Sequence, residues 1–170
     1  MAPGLVLERG LSVATNHSDA IEFLTTPDNW RRIIPGAADG VITLEADDGN
    51  FVLSAGLTYR FTNTVVNRSG DGGQLHYNVR VQGASSGMPI DFSFHAHYQF
   101  RSYSADEPHH GGCSIVRSID NFRAAGRCSC LVGLITRPAL KKALLKENAT
   151  IVEILGAPPQ VGVARLDKKG

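Results

Sequence analysis

The sequence predicts an α+β domain in which a single antiparallel sheet of about six to seven strands curls around one long C-terminal helix. Three observations carry this expectation. Between residues 39 and 123, runs of alternating apolar and polar residues are separated by clusters of Gly, Asp, Asn and Ser, the mark of strands joined by turns. From about Leu131 the apolar period lengthens to that of a helix. Two of the strand runs also pair in one register that sorts their side chains into an apolar and a polar face.

The first strand is expected over residues 5–14, where Leu5, Leu7, Leu11 and Val13 share one parity. Thr15-Asn16-His17-Ser18-Asp19 is rich in N-cap residues and precedes Ala20, Ile21, Phe23 and Leu24, a short amphipathic helix. Pro27 suits the first turn of a second short helix, which carries Trp30, Ile33 and Ile34 and ends at Pro35-Gly36. Strands follow at 39–47, 50–55, 57–67, 74–84, 89–103 and 113–123, the first two separated by Asp47-Asp48-Gly49-Asn50. In the strand at 57–67, Tyr59, Phe61, Asn63 and Val65 share a parity. The final helix places Leu140, Ala143, Leu144, Ile151 and Leu155 near one stripe, opposite Lys141, Lys142, Lys146 and Glu153. Thr136 is its expected N-cap, with Pro138 in the first turn. One domain over residues 1–156 is expected, with a flexible tail at 157–170 that contains Pro158-Pro159.

Strands 74–84 and 89–103 flank Ser85-Ser86-Gly87-Met88 and should form a hairpin. If paired residue numbers sum to about 173, Val81 faces Phe92, Val79 faces Phe94, Tyr77 faces Ala96 and Leu75 lies beside Tyr98. On the other face Gln82 meets Asp91, Arg80 meets Ser93, Asn78 meets His95, and His76 meets His97. A slip of one residue would mix the faces, so the parity is strongly specified. The long helix should cover the apolar face.

Composition narrows the function classes. The chain has 170 residues with 17 Lys and Arg against 16 Asp and Glu, a net charge of +1. That balance gives no support to a nucleic-acid partner. No stretch approaches the 18 apolar residues of a membrane span. The N-terminus lacks a basic segment followed by an apolar core, so no signal peptide is expected. Three cysteines, Cys113, Cys128 and Cys130, suit a reducing, cytoplasmic setting better than a disulfide framework.

The element order, together with Asn29-Trp30-Arg31-Arg32-Ile33-Ile34-Pro35-Gly36, resembles the START-like helix-grip superfamily (SRPBCC). That superfamily includes Bet v 1-type proteins, lipid-transfer START domains and the polyketide cyclase/dehydrase group. The tryptophan-to-Pro-Gly exit from the second short helix is similar to one found in many bacterial members. The resemblance spans roughly residues 4–155. It implies an elongated, largely apolar cavity between sheet and helix, and a small hydrophobic or aromatic ligand such as a lipid or polyketide. It also implies, as the alternative, an enzyme of the cyclase, dehydratase or isomerase kind that works without a cofactor in the same cavity. A shorter stretch, Ser86-Gly87-Met88-Pro89, is similar to the gate loop of plant abscisic-acid receptors, with methionine at its third position and no matching latch.

Candidate site residues follow from the two faces. Trp30, Tyr59, Phe61, Tyr77, Val79, Phe92, Phe94 and Tyr98 are read either as closed core or as cavity lining; phenols among phenylalanines suit a pocket with a few polar anchors. Asn63 is a ligand-binding amide if it faces inward, and a solvated bulge residue otherwise. Arg117 lies on the parity of Ile115 and Ile119, while Val116 and Phe122 lie on the other, so the inward side of strand 113–123 stays open. Facing inward, its guanidinium would hold an anionic group or polarise a carbonyl. Arg117, Asn63, Tyr77 and Tyr98 are therefore the candidate catalytic groups.

His76, His95 and His97 converge in the proposed register and could offer three nitrogens to zinc. They fall on the polar face, beside Asn78, Gln99 and Arg101, and are read as an exposed histidine patch with no resident metal. Cys128-Ser129-Cys130 lacks zinc-knuckle spacing, and no nucleophile elbow, P-loop or dinucleotide fingerprint is present. A third reading is a protein whose hairpin surface docks a partner chain or a second copy.

Overall fold

The structure, a computed structural model, describes residue 4 and residues 6–46, 49–125 and 129–157, with backbone only for 129–132. The Asp47-Asp48 part of the first expected turn, Cys128 and the tail beyond residue 157 lie outside the described residues.

The chain runs β1 (Leu7–Val13), α1 (His17–Thr25), a 3₁₀ turn (Pro27–Asn29), α2 (Trp30–Ile33), β2 (Val41–Leu44), β3 (Phe51–Ala55), β4 (Leu57–Ser69), β5 (Gly72–Ser85), β6 (Met88–Ser102), β7 (Cys113–Ala124) and α3 (Ser129–Leu155). The strands form one sheet in the order β1-β7-β6-β5-β4-β3-β2, with every neighbouring pair antiparallel. The long helix packs on its apolar face. No helix of the described residues is long and apolar enough to cross a membrane.

The β5–β6 register is the one expected from the sequence, from Val81↔Phe92 through Leu75↔Tyr98 and, on the other face, His76↔His97. Ser86 and Gly87 close the hairpin with φ of 51° and 76°, the two positive angles that a type I′ turn requires.

At the entrance to α1, the Asn16 side chain accepts a hydrogen bond from the Asp19 N–H at 2.9 Å, the cap expected of that residue type. At the other end, the Trp30 indole N–H donates to the Leu24 carbonyl at 3.0 Å. The Tyr77 hydroxyl donates to the same oxygen at 2.7 Å. A carbonyl in the last turn of a helix lacks an intrahelical partner, and here two aromatic side chains supply it. Trp30, Phe51, Phe61 and Tyr77 then pack ring to ring, with centroids 4.3–6.3 Å apart.

Two bulges change what a strict alternation predicts. In β4 the pairing shifts between Thr62 and Val65, where Asn63 has φ of 51°. In β7 it shifts opposite Ser93 and His95, where Asn121 has φ of 50°. Asparagine tolerates the left-handed conformation better than most side chains. Each bulge inserts one residue and reverses the parity beyond it. Val65 therefore lies on the polar face beside His76, 49% exposed, and does not join Tyr59 and Phe61. In β7, Cys113, Ile115, Arg117 and Ile119 point inward before the bulge, and Phe122 packs against the core after it.

The helix departs from its expected start. Thr136 is not its N-cap, and Pro138 lies inside α3 rather than in its first turn. Its early turns run along the end of β7: a Cβ at Gly133 would stand 3.9 Å from Phe122. Packing thus keeps the chain helical through a proline that removes one backbone hydrogen bond. Further on, Leu140, Leu144, Ile151 and Leu155 are buried as the stripe predicts, and Lys141, Lys142, Lys146 and Glu153 face outward.

Candidate functional site: a cavity under the long helix

Between the sheet and α3 lies a cavity of about 210 Å³. An apolar cavity of roughly 150 Å³ already accepts a benzene-sized ring. Its walls include eight of the ten residues assigned from the sequence: Trp30, Tyr59, Phe61, Val79, Phe92, Phe94, Tyr98 and Arg117. Leu57, Val81 and Ile90 extend the sheet wall, and Thr136, Ala139, Leu140, Ala143 and Glu147 form the helix wall.

Two of the assigned residues lie elsewhere. Asn63 is exposed, because the left-handed bulge turns it off the cavity face. Tyr77 is fully buried and bonded to Leu24, so it supports α1 and does not reach the cavity. Neither lines the cavity.

Arg117 resolves the open question about β7. It is 2% exposed and lines the cavity. Its guanidinium donates to Glu147 Oε2 at 2.7 Å and to Asn148 Oδ1 at 2.8 Å, both from α3. Its carbon Cζ stands 5.3 Å from the centre of the Tyr98 ring, within cation–π reach. Burial of a guanidinium is tolerated here because an anion and an amide oxygen meet it.

The pairing is incomplete. Arg117 Nε, Asn148 Nδ2 and the Tyr98 hydroxyl are buried with no hydrogen-bond partner among the described residues. Burial pushes the Tyr98 phenol up to about 12, an effect that the neighbouring Arg117 charge opposes. It is therefore an O–H donor at neutral pH. Burial also raises the Glu147 carboxyl above the ordinary glutamate value, although Arg117 pulls it the other way. At Tyr59, burial first and then the Glu147 charge raise the phenol. The cavity thus has apolar walls and one polar cluster made of a cation, a carboxyl group and a phenol.

Glu147 and Asn148 were not singled out from the sequence, yet a signal for them is there. They occupy the core positions of α3 between Leu144 and Ile151, where the stripe calls for apolar residues. A charge in a helix stripe and a charge in a strand's inward parity are each costly alone, and together they predict a pair.

On the opposite face of the sheet, His76, His95 and His97 meet as the register predicts. Asp120 of β7 joins them, so a carboxylate does accompany the histidines, contrary to the neighbours expected from the hairpin alone. Cys113 is buried and free, and burial raises its thiol to about 11, which leaves it an unreactive core residue.

No protein-family model matches the chain, and no curated protein matches it. Among solved structures, a conserved protein from Geobacillus kaustophilus superposes with a TM-score of 0.64 at 8% identity, over 87% of this chain and 93% of that one. The di-domain ARO/CYC protein StfQ of the steffimycin biosynthetic pathway matches at 17% identity and TM-score 0.44, over 89% of this chain and 51% of its own. An uncharacterised protein from Rhizobium leguminosarum matches at 12% identity and TM-score 0.43, over 85% and 92%. At 8% identity the likeness to the Geobacillus kaustophilus protein speaks for the fold alone. The seven-stranded antiparallel sheet, the two short helices after β1 and the long C-terminal helix packed on the sheet make this the helix-grip fold that the sequence resemblance implies.

Proposed function

We propose that the chain binds one small apolar or aromatic molecule, bearing at least one hydrogen-bond acceptor, in the cavity between sheet and α3. The observation that carries this reading is the cavity's mixed wall. Aromatic and aliphatic side chains supply most of it, and a phenol O–H with no acceptor among the described residues stands beside a buried guanidinium. A closed core would leave no such donor unsatisfied, because the cost is about 1–3 kcal/mol. A ligand oxygen placed near Tyr98 and Arg117 would recover that energy, while the apolar walls hold the rest of the molecule.

The second reading, a cofactor-independent cyclase, dehydratase or isomerase, rests on Glu147. A carboxyl group with a raised pKa, lining a cavity beside a cation and a phenol, is the equipment of general acid–base chemistry. Glu147 would take a proton from a carbon next to a ligand carbonyl. Arg117 and Tyr98 would hold the resulting enolate oxygen, and the proton would return from Glu147 to another carbon or to a departing hydroxyl.

The test is a pair of measurements. Native mass spectrometry of protein from its own host should reveal a retained small molecule. Displacement of an environment-sensitive apolar dye should report the cavity, and Ala143→Trp, which fills it from the helix wall, should abolish dye binding while thermal unfolding stays cooperative. Undiminished dye binding in a folded Ala143→Trp protein would place the ligand elsewhere. Conversion of the retained molecule by wild type and not by Glu147→Gln would favour the enzyme.

A further inference from the structure

The outer face of the sheet carries a cluster that the cavity does not use. His95 and His97 alternate with cavity-facing residues on β6, and Asp120 comes from β7. His95 Nδ1 lies 3.6 Å from Asp120 Oδ1, and His97 Nε2 lies 3.5 Å from Asp120 Oδ2. One ligand atom from each of the three residues falls within 4.8 Å of the other two. Tetrahedral zinc, with bonds of about 2.0–2.2 Å, needs its ligand atoms about 3.3 Å apart. Each histidine nitrogen is already close to that from one carboxylate oxygen, His95 Nδ1 from Oδ1 and His97 Nε2 from Oδ2, and a turn of the carboxylate presents one oxygen to both. The two histidine nitrogens can draw together by small ring rotations, since both rings are partly exposed.

The contacts behind His97 favour one tautomer, given the orientation of the Asn78 amide. His76 Nε2 lies 3.0 Å from Asn78 Oδ1, an acceptor, so that nitrogen carries the proton and His76 Nδ1 carries a lone pair. His76 Nδ1 is 3.0 Å from His97 Nδ1, which must then be the donor. His97 Nε2 is thereby left with a lone pair turned toward a carboxylate oxygen. Two lone-pair atoms face each other comfortably only with a cation between them. His95 converges on the same carboxylate, and three ligands around one point suit a metal ion.

We propose that His95, His97 and Asp120 form a binding site for a divalent transition metal, zinc by its ligand set, with water completing the coordination and His76 positioning His97. The metal would tie β6 to β7 on the strand segments whose cavity side carries Tyr98 and Arg117. One contact is poorly matched. In the present arrangement Asn121 Nδ2 meets His95 Nε2 at 3.1 Å while its Oδ1 accepts from Arg123 at 3.1 Å. A metal on His95 Nδ1 puts the proton on Nε2, which then wants an acceptor. Asn121→Asp supplies one to both neighbours, and aspartate tolerates the left-handed backbone there. An acceptor behind a metal-bound imidazole changes affinity by about 10–100-fold.

The test uses untagged full-length protein stripped with chelator. Zinc is titrated by calorimetry, and cobalt(II) by its visible absorption. Wild type should bind one equivalent of zinc. His97→Ala and Asp120→Asn should each weaken it by more than about tenfold, and His76→Ala by about tenfold. Asn121→Asp should tighten it by about tenfold, a gain that misfolding cannot mimic. His110→Ala, in the exposed loop before β7, should leave affinity unchanged, and thermal unfolding checks each variant. Zinc uptake equal in wild type, His97→Ala and Asp120→Asn overturns the proposal, as does the absence of stoichiometric uptake, or an Asn121→Asp protein that binds no more tightly than wild type.

Discussion

Tyr77 and Tyr98 stand on the same face of neighbouring strands, both buried, and the alternation of the sequence treats them alike. Their hydroxyls separate them. The Tyr77 phenol ends on the Leu24 carbonyl, whereas the Tyr98 phenol ends without a partner among the described residues, beside the cavity and Arg117. Removing each oxygen should therefore have opposite consequences. Tyr77→Phe loses a satisfied buried hydrogen bond and should cost about 1 kcal/mol of stability. Tyr98→Phe removes an unsatisfied hydroxyl, so stability should hold or rise by up to about 1 kcal/mol. Affinity for the retained ligand should meanwhile fall about tenfold, the worth of one hydrogen bond. Urea unfolding and ligand titration of both variants read the two effects. A Tyr98→Phe protein that is clearly less stable and binds as tightly as wild type would make Tyr98 an ordinary core residue. The same contrast explains which site residues were readable in advance. Parity locates a side chain on a face, but only the packed structure shows where its polar end goes.

Elements repeat the lesson at larger span. The β5–β6 hairpin was legible pair by pair because no bulge interrupts it and a two-residue turn sets its register. Strand β4 was legible only up to Asn63, and the inward side of β7 stayed open, since one inserted residue reverses every later position. The ambiguity between Arg117 and Phe122 was the trace of such a bulge: both residues face the core, which a regular strand forbids. The helix start failed for a different reason. Thr136 followed closely by Pro138 is a sound local signal for a first turn, and contact with the end of β7 overrides it. Pro138 then sits in α3 next to Ala139 and Leu140 of the cavity wall, where it deprives one carbonyl of its partner. Pro138→Ala should restore that bond. An interior proline costs roughly 3 kcal/mol against alanine, less about 1 kcal/mol for the unfolded-state entropy proline removes, so a gain of about 1–2 kcal/mol is expected. The denaturant midpoint measures it, and a loss of stability would mean that α3 needs a break at this point.

For the molecule as a whole, the grip of helix on sheet includes one buried ion pair, Arg117 of β7 with Glu147 of α3. Its sign in the energetics can be worked out. Burial raises the Glu147 carboxyl above its ordinary value despite the opposing Arg117 charge. An unfolded glutamate titrates near about 4.3. Above that pH and below the folded value, the folded protein holds a proton that the unfolded chain has released. Stability must then fall as pH rises through this window, because the folded state binds more protons. The contribution is complete below the unfolded value and gone above the folded one. Glu147→Gln keeps an acceptor for Arg117 and abolishes the titration. The stability of wild type relative to Glu147→Gln should therefore decline from about pH 4.3 upward and level off once the carboxyl has ionised. Guanidinium unfolding across this range measures the difference. A difference that grows with pH would show that attraction to Arg117 outweighs burial. In that case Glu147 is a fixed anion clamping helix to sheet, and the general-acid role loses its basis, whereas a declining difference leaves a proton on the cavity wall at mildly acidic pH, where a bound carbonyl or hydroxyl could receive it.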